Sequence, residues 1–300
     1  MLTLLLGFVL AFQASQNSPA SPPAYVPERV YDTRRHAFAD LEVMLADLAK
    51  ADIVFVGEQH DDPNTHRLEA AILDGLRRRG VTVSVSLEMF ERDTQGSVNS
   101  YLSGGISEDE FLKSSRPWPR YATDYRPVVE LARSWGFPLI AANIPRRFAS
   151  SVAKTGLSAL DALTPTERSW VAADLQCPKD AYFDRFAETM TTHDGSGAAK
   201  ASTEEQRQTT ERYYFSQCAK DETMAEAIAA GFEQFNRKLV LHFNGSFHSD
   251  FGLGTVDRVR RRLPGRRAVV VSVLPVKDLD TLAPAGEDLK RADYLIYTVR

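Results

Sequence analysis

Cysteine is nearly absent from this chain, with Cys177 and Cys218 as its only two. Their spacing matches no zinc motif, so a structural zinc held by thiolates is not expected. In an oxidising compartment they would close a loop of about 40 residues, worth roughly 4 kcal/mol on the chain-entropy account. Otherwise they are two thiols, and separation along the chain does not decide between these outcomes. Also missing are a glycine-rich phosphate loop, a Gly-x-Ser-x-Gly elbow and a His-Glu-x-x-His helix, which weighs against three common enzyme classes. Excess positive charge is lacking too. The 36 Lys and Arg face 40 Asp and Glu, a net charge of -4, and there is no electrostatic footprint for nucleic acid.

The apolar run at the N-terminus, Met1 to Phe12, is too short to span a bilayer comfortably and leads into small and polar residues. It reads as the apolar part of a signal peptide, without a preceding Lys or Arg, and Ser18-Pro-Ala20 offers a small-x-small cleavage site. Residues Gln13 to Glu28, with Pro19, Pro22, Pro23 and Pro27, read as an extended linker. We therefore set residues 1–28 apart as a signal-like segment and linker, take 29–300 as the folded domain, and expect a periplasmic or secreted location in the cell envelope. No cysteine follows the run, so lipid attachment there is not expected, and membrane association is left open.

What the chain does contain is enough apolar sequence, 43% of it, to bury a core. The run Asp52-Ile-Val-Phe-Val-Gly-Glu-Gln-His60 is an apolar strand that meets a glycine, a carboxylate and an imidazole. Leu239-Val-Leu-His-Phe-Asn-Gly-Ser-Phe-His248 repeats the Gly-x-x-His ending. Continuous apolar runs of this length suit strands covered on both faces, as in a parallel sheet. Val81 to Leu87 delivers Glu88, Pro138 to Ala142 delivers Asn143, and Ala268 to Leu274 ends at Pro275 with no catalytic group. Helical patterns lie between them: His66 to Arg79 closed by Gly80, Asp124 to Trp135 closed by Gly136, and Thr255 to Leu263 closed by Pro264. This alternation predicts an α/β fold with a mostly parallel sheet flanked by helices.

In open parallel sheets, ligands bind beyond the carboxyl ends of the strands. Glu58, His60, Glu88, Asn143 and His248 are thus expected on one edge. His60, Glu88 and His248 make a reasonable ligand set for a divalent ion such as Zn²⁺, Mn²⁺ or Fe²⁺. Alternatively His60 is a general base with Glu58 or Glu88 fixing its tautomer, or the groups form a polar cluster that holds strand ends together. Arg126 and Arg146 fall near the same edge and can pair with a ligand carboxylate such as a propionate. Arg92 is a neutraliser for Glu88. His66 reads as a surface or capping residue and His242 as a core histidine, while His36 and His193 lie in loop-like sequence. Asp61-Asp62-Pro63 reads as a turn before a helix, with direct cation binding as the other reading. The arginines from Arg258 to Arg267 read as a solvated face, with attraction of carboxylates as the other reading.

An insertion of helical material at about 150–235 interrupts the strand rhythm and is expected to cap the sheet edge. Thr164-Pro-Thr-Glu167 has the cap, proline and capping box that start a helix. Further helices are expected over Lys179 to Thr192 and Thr203 to Phe232, separated by the polar stretch Gly195 to Ser202. Its aromatic residues, Tyr182, Phe183, Phe186, Tyr213, Tyr214 and Phe215, are core packing or else a platform for a flat ligand, with a tyrosinate available to iron.

The ordered set Gly57-Glu-Gln-His60, Leu87-Glu-Met-Phe90, Tyr125-Arg-Pro127, Ala142-Asn-Ile-Pro-Arg146, Gln217 with Asp221 and Met224-Ala225, Asn244-Gly-Ser-Phe-His248 and Ala292-Asp-Tyr294 resembles the ChaN-like haem-binding proteins. Their superfamily includes the Tiki metalloproteases and erythromycin-esterase-like hydrolases. The resemblance spans about Tyr31 to Thr298. It implies a bacterial cell-envelope protein connected with haem or iron uptake, with an α/β core and a helical insert. Relatives are described as binding haem between two subunits with a tyrosine on iron, which implies a homodimer. Tyr182, Tyr213 and Tyr214 are the candidates by location, since no short motif fixes that residue. The hydrolytic members imply instead a metal-dependent esterase or peptidase built on His60, Glu88 and His248.

Overall fold

The computed structural model describes residues 26–193, 203–235, 239–284 and 286–299. All but the last residues of the signal-like segment, and the stretch Gly195 to Ser202, lie outside them. The fold is α/β, with an eight-stranded sheet ordered β2-β1-β8-β7-β3-β6-β4-β5. Its strands are β1 (Glu28–Asp32), β2 (Ala37–Ala39), β3 (Ile53–Glu58), β4 (Val83–Glu91), β5 (Leu139–Asn143), β6 (Leu239–Gly245), β7 (Ala268–Val276) and β8 (Tyr294–Val299). From β8 to β5 every pairing is parallel, while β1 and β2 run antiparallel at one edge. The sequence reading found β3 to β7 but not β1, β2 or β8.

Side-chain alternation divides the sheet between two helical layers, because successive residues of a strand point to opposite faces. Val54, Val56, Leu241, Phe243, Val271 and Val273 pack on one side. They are covered by α1 (Leu41–Leu48), α2 (Pro63–Arg78), α3 (Gln95–Leu102), α4 (Glu108–Ser115), α5 (Tyr121–Asp124) and α6 (Arg126–Trp135). Helix α2 starts at Pro63, three residues earlier than expected, because the Asp62 carboxylate caps it by accepting the Asn64 N–H at 3.0 Å. The helix expected from Asp124 to Trp135 breaks before Pro127, and Gly136 closes it in the left-handed region at φ 66°.

Ile53, Phe55, Ile140, Ala142, Val240 and Val270 face the other side. The inserted segment supplies α7 (Arg146–Thr155), α8 (Pro165–Arg168), α9 (Ala181–His193) and α10 (Glu204–Gln234), followed after β6 by α11 (Thr255–Arg262) and later by α12 (Asp288–Arg291). The insertion does more than cap an edge. Met224, Ala225, Ile228 and Phe232, in the second half of α10, lie directly on the sheet, whereas its first half and α9 stand over the strand ends. Gly231 permits the close approach, since a Cβ there would fall 2.3 Å from Ile140 Cδ1. No described helix is long and apolar enough to cross a membrane.

The basic stretch on α11 is a solvated face only in part, with Arg260 exposed and other members turned inward. Arg258 is 3% exposed, and Arg258, Arg261 and Arg262 converge on the fully buried Glu222 of α10 at 3.3, 2.7 and 2.6 Å. Arg267 pairs with Asp47 at 2.8 Å. A buried carboxylate needs such partners, and they remove these arginines from ligand binding. Arg92 likewise pairs with Glu226 at 2.9 Å rather than with Glu88. The two cysteines are joined, Cys177 to Cys218, and tie the segment before α9 to the buried face of α10.

Breaking that tie releases a loop with a sequence separation of 41. The double variant Cys177→Ser/Cys218→Ser is expected to lose about 4 kcal/mol in urea denaturation. A loss below about 1 kcal/mol would show that the tie does not constrain the unfolded chain as the entropic account requires.

Candidate functional site

Strands β3 and β6 pair in parallel so that Gly57 lies opposite Asn244 and Glu58 opposite Gly245. The two Gly-x-x-His endings therefore grow from neighbouring strands at the same height. Each glycine makes room for the other ending. A Cβ on Gly57 would come within 2.9 Å of Ser249 Oγ and 3.0 Å of the Ser246 Cα, and one on Gly245 within 2.7 Å of His60 Nε2. Close approach to backbone thus requires Gly57, while Gly245 leaves room for the His60 ring where it now lies.

Glu58 is buried and its Oε1 accepts from His60 Nδ1 at 2.5 Å and from the Tyr125 hydroxyl at 3.2 Å. The His60 side chain is 49% exposed and faces the edge of the Trp118 indole, ring centres 5.1 Å apart. Burial works against its charged form, but the Glu58 hydrogen bond prevails and raises its pKa. On the next strand Glu88 accepts the Gly245 N–H at 2.8 Å and meets His248 Nε2 at 3.2 Å. The other His248 nitrogen bonds Asp221 of α10 at 2.7 Å, and Asp221 also accepts from Thr255 at 2.7 Å and from the Tyr182 hydroxyl at 2.8 Å.

His248 is consequently clamped between two carboxylates. Burial would push its pKa down, but the charges of Glu88 and Asp221 override this and hold it at about 10. Glu88, which burial would raise, is kept well below the usual carboxylate range by that imidazolium. An imidazolium has no lone pair to offer. In this arrangement His248 anchors acids, and His60 is the more exposed of the two histidines that border the open space. That space is a cleft of about 370 Å³, lined by Glu58, His60, Glu88, Trp118, Phe186, Met190, Gln217, Lys220, Phe247 and His248 among others. It offers a proton-exchanging imidazole, a fixed cation and apolar walls to a small ligand.

The family described as haem-binding uptake, Tiki superfamily, ChaN matches residues 44–259, well over half of the chain. The chain belongs to the ChaN family. Among solved structures it is similar to ChaN of Campylobacter jejuni, described with cofacial haem binding, at 17% identity and a TM-score of 0.65, covering 90% of this chain and 96% of that one. At that identity the likeness concerns the fold. The type III effector HopBA1 aligns at 10% identity and TM-score 0.47 over 93% and 99% of the two chains. The erythromycin esterase EreC aligns at 12% and 0.47 over 83% and 77%. No curated protein sequence matches significantly.

Of the residues expected at one edge of the sheet, Glu58, His60, Glu88 and His248 come together in the cleft. Asn143 closes β5, buried, and is not among the cleft-lining residues. Arg126 is held by both oxygens of Glu108, at 2.6 and 2.9 Å, and Arg146 is exposed at the start of α7, so neither faces the cleft. The tyrosines separate. Tyr182 is buried behind His248, Tyr214 is buried with its hydroxyl on the Pro178 carbonyl at 2.6 Å, and Tyr213 is 43% exposed. His66, expected at the surface, is buried with Nδ1 3.1 Å from Glu69 and 3.7 Å from Glu58. Burial first, and then the Glu69 charge, raises the Glu58 pKa well above normal, while Glu69 is pushed up to about 8 by burial and Asp124. His242 is the core histidine expected, bonded to Ser86 at 2.9 Å.

Sequence reasoning assigned no role to Trp118, Lys220 or Asp221. For Asp221 a signal existed: it follows Gln217 by four residues, so both lie on one face of a helix. Two outcomes follow from the geometry. Gly57→Ala is expected to cost about 1–3 kcal/mol, because the obstructing atoms include backbone; a two-state urea measurement that finds it neutral would refute the close-approach account. A raised folded-state pKa for His248 stabilises fully below its unfolded value and less as pH rises. Stability should therefore decline between about pH 6.5 and about pH 10. His248→Gln should flatten that decline while destabilising the protein by about 3–5 kcal/mol at neutral pH, by stranding Glu88 and Asp221.

Proposed function

We propose that this protein binds haem at the mouth of the cleft and serves haem or iron uptake in the cell envelope. One stripe of α10 carries the reading. Tyr213, Gln217 and Lys220, spaced by four and three residues, share one helix face. Gln217 and Lys220 line the cleft, and Tyr213 stands exposed one turn further out. Iron takes a tyrosinate, so a usable tyrosine must be able to lose its proton. Burial and the Asp221 charge hold the Tyr182 pKa far above normal, and burial puts that of Tyr214 at about 12. Tyr213 is the one of the three that stands exposed on the surface.

The other residues fit a porphyrin in kind. Trp118, Phe186, Met190 and Phe247 offer apolar surface, and Lys220 offers a cation to a propionate. Bound there, haem supplies an iron that accepts an oxygen ligand. The cleft is at the small end of the range for ligand sites, roughly 300–1,000 Å³, so a porphyrin would extend beyond it. A second copy of the chain covering that exposed face gives the homodimer. The Cys177–Cys218 pair and the apolar N-terminal run support export to an oxidising compartment. A metal-dependent hydrolase on His60, Glu88 and His248 has less behind it, because both His248 nitrogens are taken by carboxylates.

Titration of the purified protein with haemin tests this. A saturable Soret shift is expected, weakened at least about tenfold and altered in shape by Tyr213→Phe, since loss of about 1.4 kcal/mol of ligation suffices for that factor. Tyr214→Phe should leave the spectrum as it was. An absent shift, or one that Tyr213→Phe does not change, defeats the assignment.

A further inference from the structure

Behind the cleft, Glu58, His66 and Glu69 each present a ligand atom, and these atoms all lie within 4.8 Å of one another. We propose that the three form a buried site for a divalent transition-metal ion such as Mn²⁺ or Zn²⁺, distinct from the haem site but adjoining its cleft through Glu58. The residues are 2%, 3% and 1% exposed. Two of their carboxylate oxygens, Glu58 Oε2 and Glu69 Oε1, are buried with no hydrogen-bond partner. Unpaired carboxylate oxygens in a protein interior are costly unless a proton or a cation meets them.

The imidazole is arranged for the second of these. His66 Nε2 lies 3.3 Å from the His60 carbonyl and 3.5 Å from Asp124 Oδ2. A proton on that nitrogen is thereby satisfied, which leaves the Nδ1 lone pair directed toward Glu58 and Glu69 at 3.7 and 3.1 Å. With both carboxyls ionised, three acceptors would face one another, and either a shared proton or an ion between them relieves that repulsion, the ion by coordination. A carbonyl or carboxylate behind the distal nitrogen is also how ligating histidines are usually oriented. Nearby side-chain cations are spent elsewhere: Arg120 bonds Asp124 at 2.7 Å, and His60 bonds the other Glu58 oxygen at 2.5 Å. Two carboxylates with one imidazole favour Mn²⁺, Fe²⁺ or Zn²⁺ over softer ions. Glu58 thus has one oxygen on the ion and one on His60, so occupancy of the buried site sets the orientation of the cleft histidine.

The test uses the full chain, free of haem and of any affinity tag, dialysed against EDTA and titrated with Mn²⁺ and with Zn²⁺. Calorimetry and elemental analysis should find about one ion per chain for at least one of them, with a rise in Tm. Glu69→Gln and His66→Asn, verified as folded by circular dichroism, should both lose the ion. On the wild type alone, Co²⁺ should give an absorption spectrum of nitrogen and oxygen ligation. Three results overturn the proposal: no stoichiometric ion; an ion that persists in both variants and so lies elsewhere; or Glu69→Gln matching or exceeding the wild-type Tm with no ion present, which means that a shared proton fills the site. None of these readouts depends on haemin, so failure here is distinct from failure of the haem assignment.

Discussion

The parallel pairing of β3 with β6 is the constraint on which the site depends. It places Glu58 opposite Gly245 and brings the two Gly-x-x-His endings to one height. Two strand ends that close can coexist only if neither carries a side chain where the other passes, which the contacts at Gly57 and Gly245 require. Glu88 then spans the junction from β4, accepting the Gly245 N–H and meeting the His248 ring. The same few atoms fix backbone, carboxylate and imidazole, so the site and the sheet edge are a single piece of architecture.

Charge is handled by pairing rather than by exposure. Glu88, His248 and Asp221 form one buried cluster, and one residue along α10 the buried Glu222 gathers Arg258, Arg261 and Arg262. Buried pairs of this kind contribute little net stability relative to apolar packing, but removing one member is expensive. Their consequence here is positional. Asp221 ties α10 to the β6 ending, Glu222 ties it to α11, and the Cys177–Cys218 bond ties it to the segment before α9. The half of α10 that borders the cleft is therefore held from several directions, and Tyr213 is presented from a fixed helix rather than a loop.

Much of the frame was legible because apolar runs that end in glycine identify strands covered on both faces, and parallel strands deliver their endings to one edge. Glu58, His60, Glu88 and His248 could be placed together on that basis. Asn143 obeyed the same logic but closes β5 outside the cleft, since relative position in the sequence does not encode where a strand falls in the sheet order. The tyrosines were unreadable for a different reason. Tyr213 and Tyr214 are adjacent, so a helix turns them about 100° apart, and only the phase of α10 against the sheet decides which is buried. The inward turn of Arg258 and Arg262 was hidden because a basic run resembles a solvated face until the acid it meets, Glu222, is brought from 36 positions before Arg258. β8 was missed as a sixth parallel strand although its residues are apolar and aromatic.

His66 shows most clearly how a local rule can mislead. In the first turn of a helix a histidine is ordinarily solvated, and Asp62 and Pro63 give α2 an ordinary start. Here that first turn is carried under the β3 ending, because β3 is central and the chain must turn back over the sheet to begin α2. The helix spacing of three then places Glu69 beside His66, and the strand ending supplies Glu58. A strand, a tight connection and one helical turn thus gather an imidazole and two carboxylates in the interior without any distant residue. Such a cluster has no apolar alternative to balance its desolvation, and its members also hold His60. Its charge must be neutralised by something small enough to fit between them, and whatever does so acts on the cleft through Glu58.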